Sequence, residues 1–266
     1  MTSVQGRPAV ALLDHDPALA AGLAPARLAA ARRATRAAAV ALPPGGWDAA
    51  AVAARCPFGA LLLDGVVGRE ATLERSRSLQ LLGRGDLLLV PGAALGERLV
   101  AVDVAWQVLE PATVALLDER FAAAVGRWPE LAGALLRRLA AQAARADTQR
   151  AICQLPRVEQ RIRVLLWFLA ERWGRVTPDG VVVPLALTHE MLGRLVGARR
   201  PTVTLAVRVL ARHGAVARRG DGGWLLRRAP DPPDGGPALR RPAASAGRRR
   251  PRAAPGSRPA APAARR

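Results

Sequence analysis

The chain has 266 residues, half of them hydrophobic, which is enough for one large domain or two small ones with buried cores. Its 40 basic residues are all arginine and face 21 acidic residues, and this net charge of +19 favours a polyanionic partner, although a GC-rich genome would produce part of the same excess. No apolar run reaches the roughly 18 residues that span a membrane, and the short apolar patch near the N-terminus ends in Asp14 and Asp16, so neither a membrane segment nor a signal peptide is expected.

The cysteines and histidines argue against metal and redox chemistry. Cys56 and Cys153 lie far apart and neither belongs to a CxxC pair, which excludes a disulfide framework and indicates a reducing cytoplasm. His15, His189 and His213 form no ligand cluster with them. The absence of lysine excludes a P-loop, and no catalytic carboxylate pair or Ser/His/Asp set stands out. We therefore expect no metal, no cofactor and no enzymatic activity.

Residues 1–127 are predicted to form a β-rich domain with a helical entry. Asp16 and Pro17 suit the cap and first position of a helix. The Ala- and Arg-rich stretch from Ala18 to Ala41 favours partly helical structure interrupted by Pro25. Short apolar runs bounded by Gly, Pro or Asp follow it, which is typical of a sandwich or barrel. These runs cover residues 59–69, 78–92, 97–109 and 112–118, with a tight turn at Gly83-Arg84-Gly85-Asp86.

One long helix is predicted over residues 128–155, with Pro129 in its first turn. A weakening apolar seam runs along it, with spacings of four and three residues. The seam consists of Leu135, Leu139, Gln142, Ala146, Gln149 and Cys153. Such a seam packs either against its own domain or against a second copy of the chain. The length of the helix and its flanking arginines favour a second copy, so we expect a dimerisation helix.

Residues 156–228 form a basic unit with a helix-turn-helix pattern. An amphipathic helix over 158–173 and a short strand over 181–185 come first. Thr188 then suits the N-cap of a helix that stops at Gly197. Arg200-Pro201 starts another helix three residues later, and two short helices joined by a tight glycine turn are typical of helix-turn-helix proteins. Residues 216–228 predict a β-hairpin wing around a glycine-rich turn.

The second helix of this pattern is expected to lie in the major groove, with its N-terminal residues at base edges. The planar fork of arginine can bridge the two acceptors of guanine, which makes Arg199 and Arg200 the main candidates for base reading. Thr188 could be a plain helix cap, and His189 could equally be an ordinary surface residue or a phosphate contact. The candidate DNA-binding residues are Thr188, His189, Arg199, Arg200, Thr202, Thr204, Arg208, Arg218 and Arg219.

The stretch LTHEMLGRLVGARRPTVTLAVRVLARHGAVARRGDGGWLL (187–226) resembles the C-terminal winged helix of the Crp–Fnr transcription regulators. More faintly, LLLDGVV (61–67) and LLGRGDLLLV (81–90) are similar to the strands and Gly-Asp turn of that family's cyclic-nucleotide-binding-like β-roll. The resemblance implies an α+β protein with an N-terminal β-roll, a long dimerisation helix and a C-terminal winged helix-turn-helix. It also implies a homodimer on double-stranded DNA, with RNA polymerase as a further partner that the resemblance allows.

Two departures from the family pattern change these expectations. Gly96-Glu97 matches the start of the family's nucleotide-binding motif, but no arginine follows at the required distance: Gln107 stands there and Asp103 is the nearest charge. Because a carboxylate repels a phosphate, the effector is expected to be another small molecule, or there is none. Pro201 replaces the glutamate that many relatives place after the first arginine of the recognition helix, so a different target sequence is expected.

Residues 229–266 are rich in Pro, Ala, Gly and Ser and are predicted to be disordered. Their nine arginines face only Asp231 and Asp234, and they are equally well interpreted as a DNA tether or as an extension without a role. The sequence as a whole predicts a dimeric, sequence-specific transcription regulator acting on a near-palindromic site. The main alternative is an architectural nucleoid protein that binds any duplex through its tail and wing.

Overall fold

The computed structural model describes residues 9–90, 100–227 and 229. Its N-terminal part is an antiparallel sheet with short helices at its edge. The strands are β1 (Ala9–Ala11), β2 (Arg36–Leu42), β3 (Gly45–Trp47), β4 (Ala60–Leu73), β5 (Ser76–Gly83), β6 (Leu87–Leu88) and β7 (Asp103–Leu116). The helices are α1 (Leu12–His15), α2 (Pro25–Ala34), α3 (Ala50–Ala53) and α4 (Glu119–Val125), and a 3-10 turn covers Pro17–Ala20.

The long strands β4 and β7 form the centre of this sheet, in the order β1-β2-β7-β4-β5, while β3 pairs with β7 and β6 with β4. The expected turn at residues 83–86 is confirmed, because it joins β5 to β6 with Gly85 at a φ of +85°. The prediction of separate strands over 97–109 and 112–118 is wrong, since β7 runs through Pro111 without a break. The strand tolerates this proline beside an irregular register in β4, where Gly65 has a φ of +88°.

The stretch from Ala18 to Ala41 is helical in part, as predicted, but α2 begins at Pro25 and ends at Ala34. Arg36–Leu42 is the strand β2, which pairs with β1 on one side and β7 on the other. Alanine favours a helix locally, but the sheet supplies backbone partners and buries Leu42. Tertiary pairing therefore overrides local propensity here.

The predicted long helix is present as α5 (Pro129–Cys153), but its expected seam does not face outward. Leu135 is buried in the core of the N-terminal part and Leu139 packs against the same core. Gln142 exchanges two hydrogen bonds of 3.1 Å with the backbone of Leu87, and Gln149 donates to the carbonyl oxygens of Leu79 and Leu195. The seam therefore packs within its own chain, and the preference for a second copy at these positions is wrong.

The C-terminal part contains three helices and a four-stranded antiparallel sheet in the order β10-β11-β9-β8. Ile162, Leu166, Leu192, Val203 and Trp224 are all fully buried in its core. The elements are α6 (Val158–Trp173), β8 (Arg175–Thr177), β9 (Gly180–Val183), α7 (His189–Val196), α8 (Arg200–Arg212), β10 (Val216–Arg218) and β11 (Trp224–Leu226). None of the described helices is long and apolar enough to cross a membrane.

The two parts share a continuous contact. Val66, Leu79 and Leu81 of the N-terminal sheet are buried in the same apolar cluster as the core of the C-terminal part. At the edge of this contact, Arg194 of α7 forms an ion pair of 2.5 Å with Glu70 of β4. The sheet thus packs on the first helix of the helix-turn-helix pair and leaves the outer face of α8 uncovered.

Candidate nucleic-acid interface

The geometry of the helix pair α7–α8 follows from local sequence signals. The Thr188 hydroxyl oxygen accepts a 3.1 Å hydrogen bond from the Met191 amide, which confirms the expected cap. Gly197 ends α7 in the left-handed region at a φ of +66°. A Cβ at Gly193 would lie 2.5 Å from the Ala198 carbonyl oxygen, so only glycine allows this close turn. These residues fix the angle at which α8 is presented.

Helix α8 has a buried face and an exposed face. Val203, Ala206 and Leu210 point into the core, as predicted. Arg200, Thr202 and Arg208 are exposed on the opposite side. Because apolar residues recur at three- and four-residue spacing, packing of one face holds the other toward the solvent.

Three arginines at this face lack partners among the residues that the structure describes. Arg199, Arg200 and Arg208 are exposed, and within the described part of the chain their guanidinium groups make no hydrogen bond or ion pair. Two of them stand at the N-terminal end of α8, where the helix dipole is positive and disfavours a cation. This arrangement is unfavourable by itself, and an external anion bound beside these guanidinium groups would offset it.

Leu205 is a further candidate that the sequence reasoning missed. Its side chain is 61% exposed, although large apolar residues in this fold are mostly buried. It lies three residues after Thr202 and three before Arg208, on the same face of α8. An apolar side chain at this position suits contact with the methyl group of thymine. The signal available in the sequence was a leucine outside the apolar stripe of the helix.

Two of the predicted contacts, His189 and Thr204, are partners of each other. His189 Nδ1 lies 3.0 Å from the Thr204 hydroxyl, which also donates to the Arg200 carbonyl oxygen at 3.0 Å. Burial, and after it the positive charge of three nearby arginines, lowers the pKa of His189 from its ordinary value of 6.5. The imidazole is therefore held neutral, and the pair braces the start of α7 against the first turn of α8.

The wing is present and its arginines have partners within the chain. The Arg218 guanidinium lies 4.6 Å from the centre of the Trp224 ring and donates to the Leu187 carbonyl oxygen. Arg219 pairs with Asp221 at 3.1 Å. The Gly223 amide donates to Asp221 at 2.9 Å, and this bond, followed by that from Arg219, lowers the pKa of the Asp221 carboxyl. Both wing arginines remain exposed, so they can still reach a phosphate.

The region that resembles a nucleotide-binding motif is described only in part. Gly96-Glu97 lies outside the described residues, as does almost all of the predicted tail at 229–266. Asp103 and Gln107 are both exposed on β7, and neither supplies a positive charge for a phosphate.

The architecture of α6 to β11 is that of a winged helix-turn-helix, a class of DNA-binding domain. Residues 160–230 match the family model of the Crp-like helix-turn-helix domain. This part of the chain is therefore similar to the Crp-like helix-turn-helix domain. No curated protein matches the sequence.

Solved structures of Crp–Fnr regulators have the same fold over most of the chain. A CooA mutant from Carboxydothermus hydrogenoformans gives a TM-score of 0.55 at 17% identity, covering 71% of this chain and 83% of CooA. FixK2 from Bradyrhizobium japonicum gives 0.54 at 16%, covering 72% and 93%. CLP of Xanthomonas campestris, a regulator described as responsive to c-di-GMP, gives 0.53 at 17%, covering 73% and 95%. The N-terminal sheet thus has the cyclic-nucleotide-binding-like fold.

Proposed function

We propose that the protein is a sequence-specific, DNA-binding transcription regulator that acts in the cytoplasm as a dimer on a near-palindromic site. The observation that carries the proposal is the set of exposed arginines Arg199, Arg200 and Arg208 at the outer face of α8, which have no partner in the described part of the chain. Arg199 and Arg200 read guanine, while Arg218 and Arg219 of the wing contact phosphates. Thr188, His189, Thr202 and Thr204 orient this face or contact the backbone of the duplex.

Selection of bound sequences from random duplexes tests the proposal. The wild-type chain is expected to enrich a near-palindrome with half-sites about 34 Å apart, one helical turn of DNA. Arg200→Ala is then expected to lose about 1–3 kcal/mol of discrimination in a gel-shift titration, while its affinity for unrelated DNA changes little. Arg212→Ala, which removes a charge from the last turn of the same helix, is the matched control. Equal discrimination by the wild-type and Arg200→Ala chains would rule out Arg200 as a base reader.

We infer that the second copy of the chain packs on a different face of α5 from the expected seam. Leu136 is 65% exposed, and the exposed Ala140, Ala144 and Ala151 continue the same face along the helix. Their spacings of four, four and seven residues match a helix-pairing stripe. Burying this stripe against its copy would set two recognition helices side by side.

We expect Leu136→Arg to convert the dimer to a monomer, because the new charge would have to be desolvated inside the pairing stripe. Light scattering after gel filtration measures this change. Arg137→Ala, at the adjacent exposed position, is the control and is expected to remain dimeric. If Leu136→Arg kept the mass of a dimer, this face would not be the interface.

The architectural alternative predicts a different set of outcomes. Binding through the tail and wing would show no sequence preference, fall steeply with salt and disappear when residues 229–266 are removed. We expect sequence preference to survive this truncation.

We also expect cyclic nucleotides to leave the thermal unfolding midpoint unchanged, because no arginine stands at the position of Gln107.

A further inference from the structure

A cleft lies where the N-terminal sheet, α5 and α6 meet. Its volume is about 350 Å³, within the range of small-molecule sites. The turn between β5 and β6 forms one wall, and α5 and the end of α6 form the others. The cleft therefore joins both structural parts of the chain, and a molecule bound in it would contact both.

The walls of the cleft carry an excess of positive charge. Four guanidinium groups line it, against the carboxylates of Asp86 and Glu171, and one of the four, that of Arg138, forms an ion pair with Asp16. The four belong to Arg84, Arg138, Arg145 and Arg172. Asp86 is almost fully buried and receives hydrogen bonds from Arg145, Arg172 and the Gly83 amide, so one carboxylate serves two guanidinium groups.

Arg84 stands out in this group. Its guanidinium donates to the His15 carbonyl oxygen and, among the described residues, has no carboxylate partner. The arginine fork binds phosphate or carboxylate with two parallel hydrogen bonds. A second wall contributes Trp173, whose ring lies 5.1 Å from the Arg172 guanidinium. The cleft thus combines a guanidinium group that can bind an acid group with a flat apolar ring surface.

We propose that this cleft binds a small anion carrying phosphate or carboxylate groups, held by Arg84 together with the arginines that flank Asp86. The anion competes with Asp86 for Arg145 and Arg172, and so acts on the contact between the sheet and α6. Binding itself does not depend on the proposed function. Only the expected change in DNA affinity rests on it.

The test uses the full-length chain, without DNA, in buffer of about 0.15 M ionic strength to screen its other surface charges. Inorganic pyrophosphate and citrate are the probes for the phosphate and carboxylate forms of the ligand. We expect one of them to give a saturable change in tryptophan fluorescence and a matching one-site calorimetric isotherm. Trp173→Phe is expected to remove most of the optical change and keep the calorimetric one.

Arg84→Ala is expected to weaken binding about tenfold, the loss of one charge-assisted contact. This variant leaves Asp86 and its arginine partners in place, so it retains the fold. Arg33→Ala, which removes an exposed charge from α2 outside the cleft, is expected to bind as the wild type does. Non-saturable binding of both probes, or equal affinity in the two arginine variants, would mean an adventitious anion only and would overturn the proposal. A separate gel shift, with and without the anion, measures whether binding in the cleft changes the affinity for DNA.

Discussion

Arginine occupies two different environments in the two parts of this molecule. On the outer face of α8, Arg199 and Arg200 project into solvent without a carboxylate partner in the described part of the chain. Where α5 and α6 meet the sheet, Arg145 and Arg172 instead hold the nearly buried Asp86 between them. Arginine therefore leaves the outer face of α8 charged, whereas at the contact of α5 and α6 with the sheet it joins two structural parts.

The difference teaches that a net charge of +19 does not locate a nucleic-acid site. The feature on which the proposed site rests is a set of arginines that a rigid helix holds outward and that have no acidic partner among the described residues. Paired arginines have exchanged water for a carboxylate, and removing one member leaves the other uncompensated. Unpaired arginines have no such role in stability, so their removal affects binding and leaves the fold intact.

Asp86→Ala is the strongest test of this contrast. We expect it to lower the free energy of unfolding by about 2–3 kcal/mol, because two guanidinium groups and the Gly83 amide lose a buried partner, while their partial exposure to water reduces the penalty. Urea denaturation followed by tryptophan fluorescence measures the loss. Arg200→Ala is expected to change the same quantity by less than about 0.5 kcal/mol. Similar losses in both variants would remove the distinction between the two regions.

Leu205→Ala tests whether the exposed face of α8 contacts a thymine methyl group. We expect a few-fold loss of preference for thymine at one position of each half-site, about 0.5–1 kcal/mol, since a methyl contact is weaker than a bidentate hydrogen bond. Replacing that thymine by uracil, which lacks the methyl group, is the matched change in the DNA. The wild-type chain should lose affinity on uracil-containing DNA and the variant should not. Equal sensitivity of both chains to uracil would exclude this contact.

His189→Gln is expected to have the smallest effect. The folded-state pKa of His189 lies below its ordinary value of 6.5, so the unfolded chain binds the proton more readily. Stability is therefore full above pH 6.5 and falls as the pH drops through 6.5 toward the lowered pKa. The variant should lose this part of the pH dependence between pH 7.5 and 5, measured by thermal unfolding. An unchanged pH profile would mean that His189 is not held neutral by its surroundings.

Local signals were sufficient for the helix-turn-helix. The Thr188 cap, the stop at Gly197 and the start at Pro201 act within one helical turn, so the sequence alone places α7 and α8. The apolar spacing of Val203 and Leu210 likewise decides which face of α8 is buried. These features need no information from distant parts of the chain.

Distant contacts decided the rest. The strand β2 and the direction of the α5 seam depend on which surfaces meet, and alanine-rich segments carry little information about that. The pairing of Asp86 with Arg172 joins residues that are 86 positions apart, and no local sequence signal predicts this pair. The sequence determines the helix α8 because capping and periodicity are local. Only the tertiary structure decides which arginines are neutralised, because an ion pair depends on the distance between folded elements.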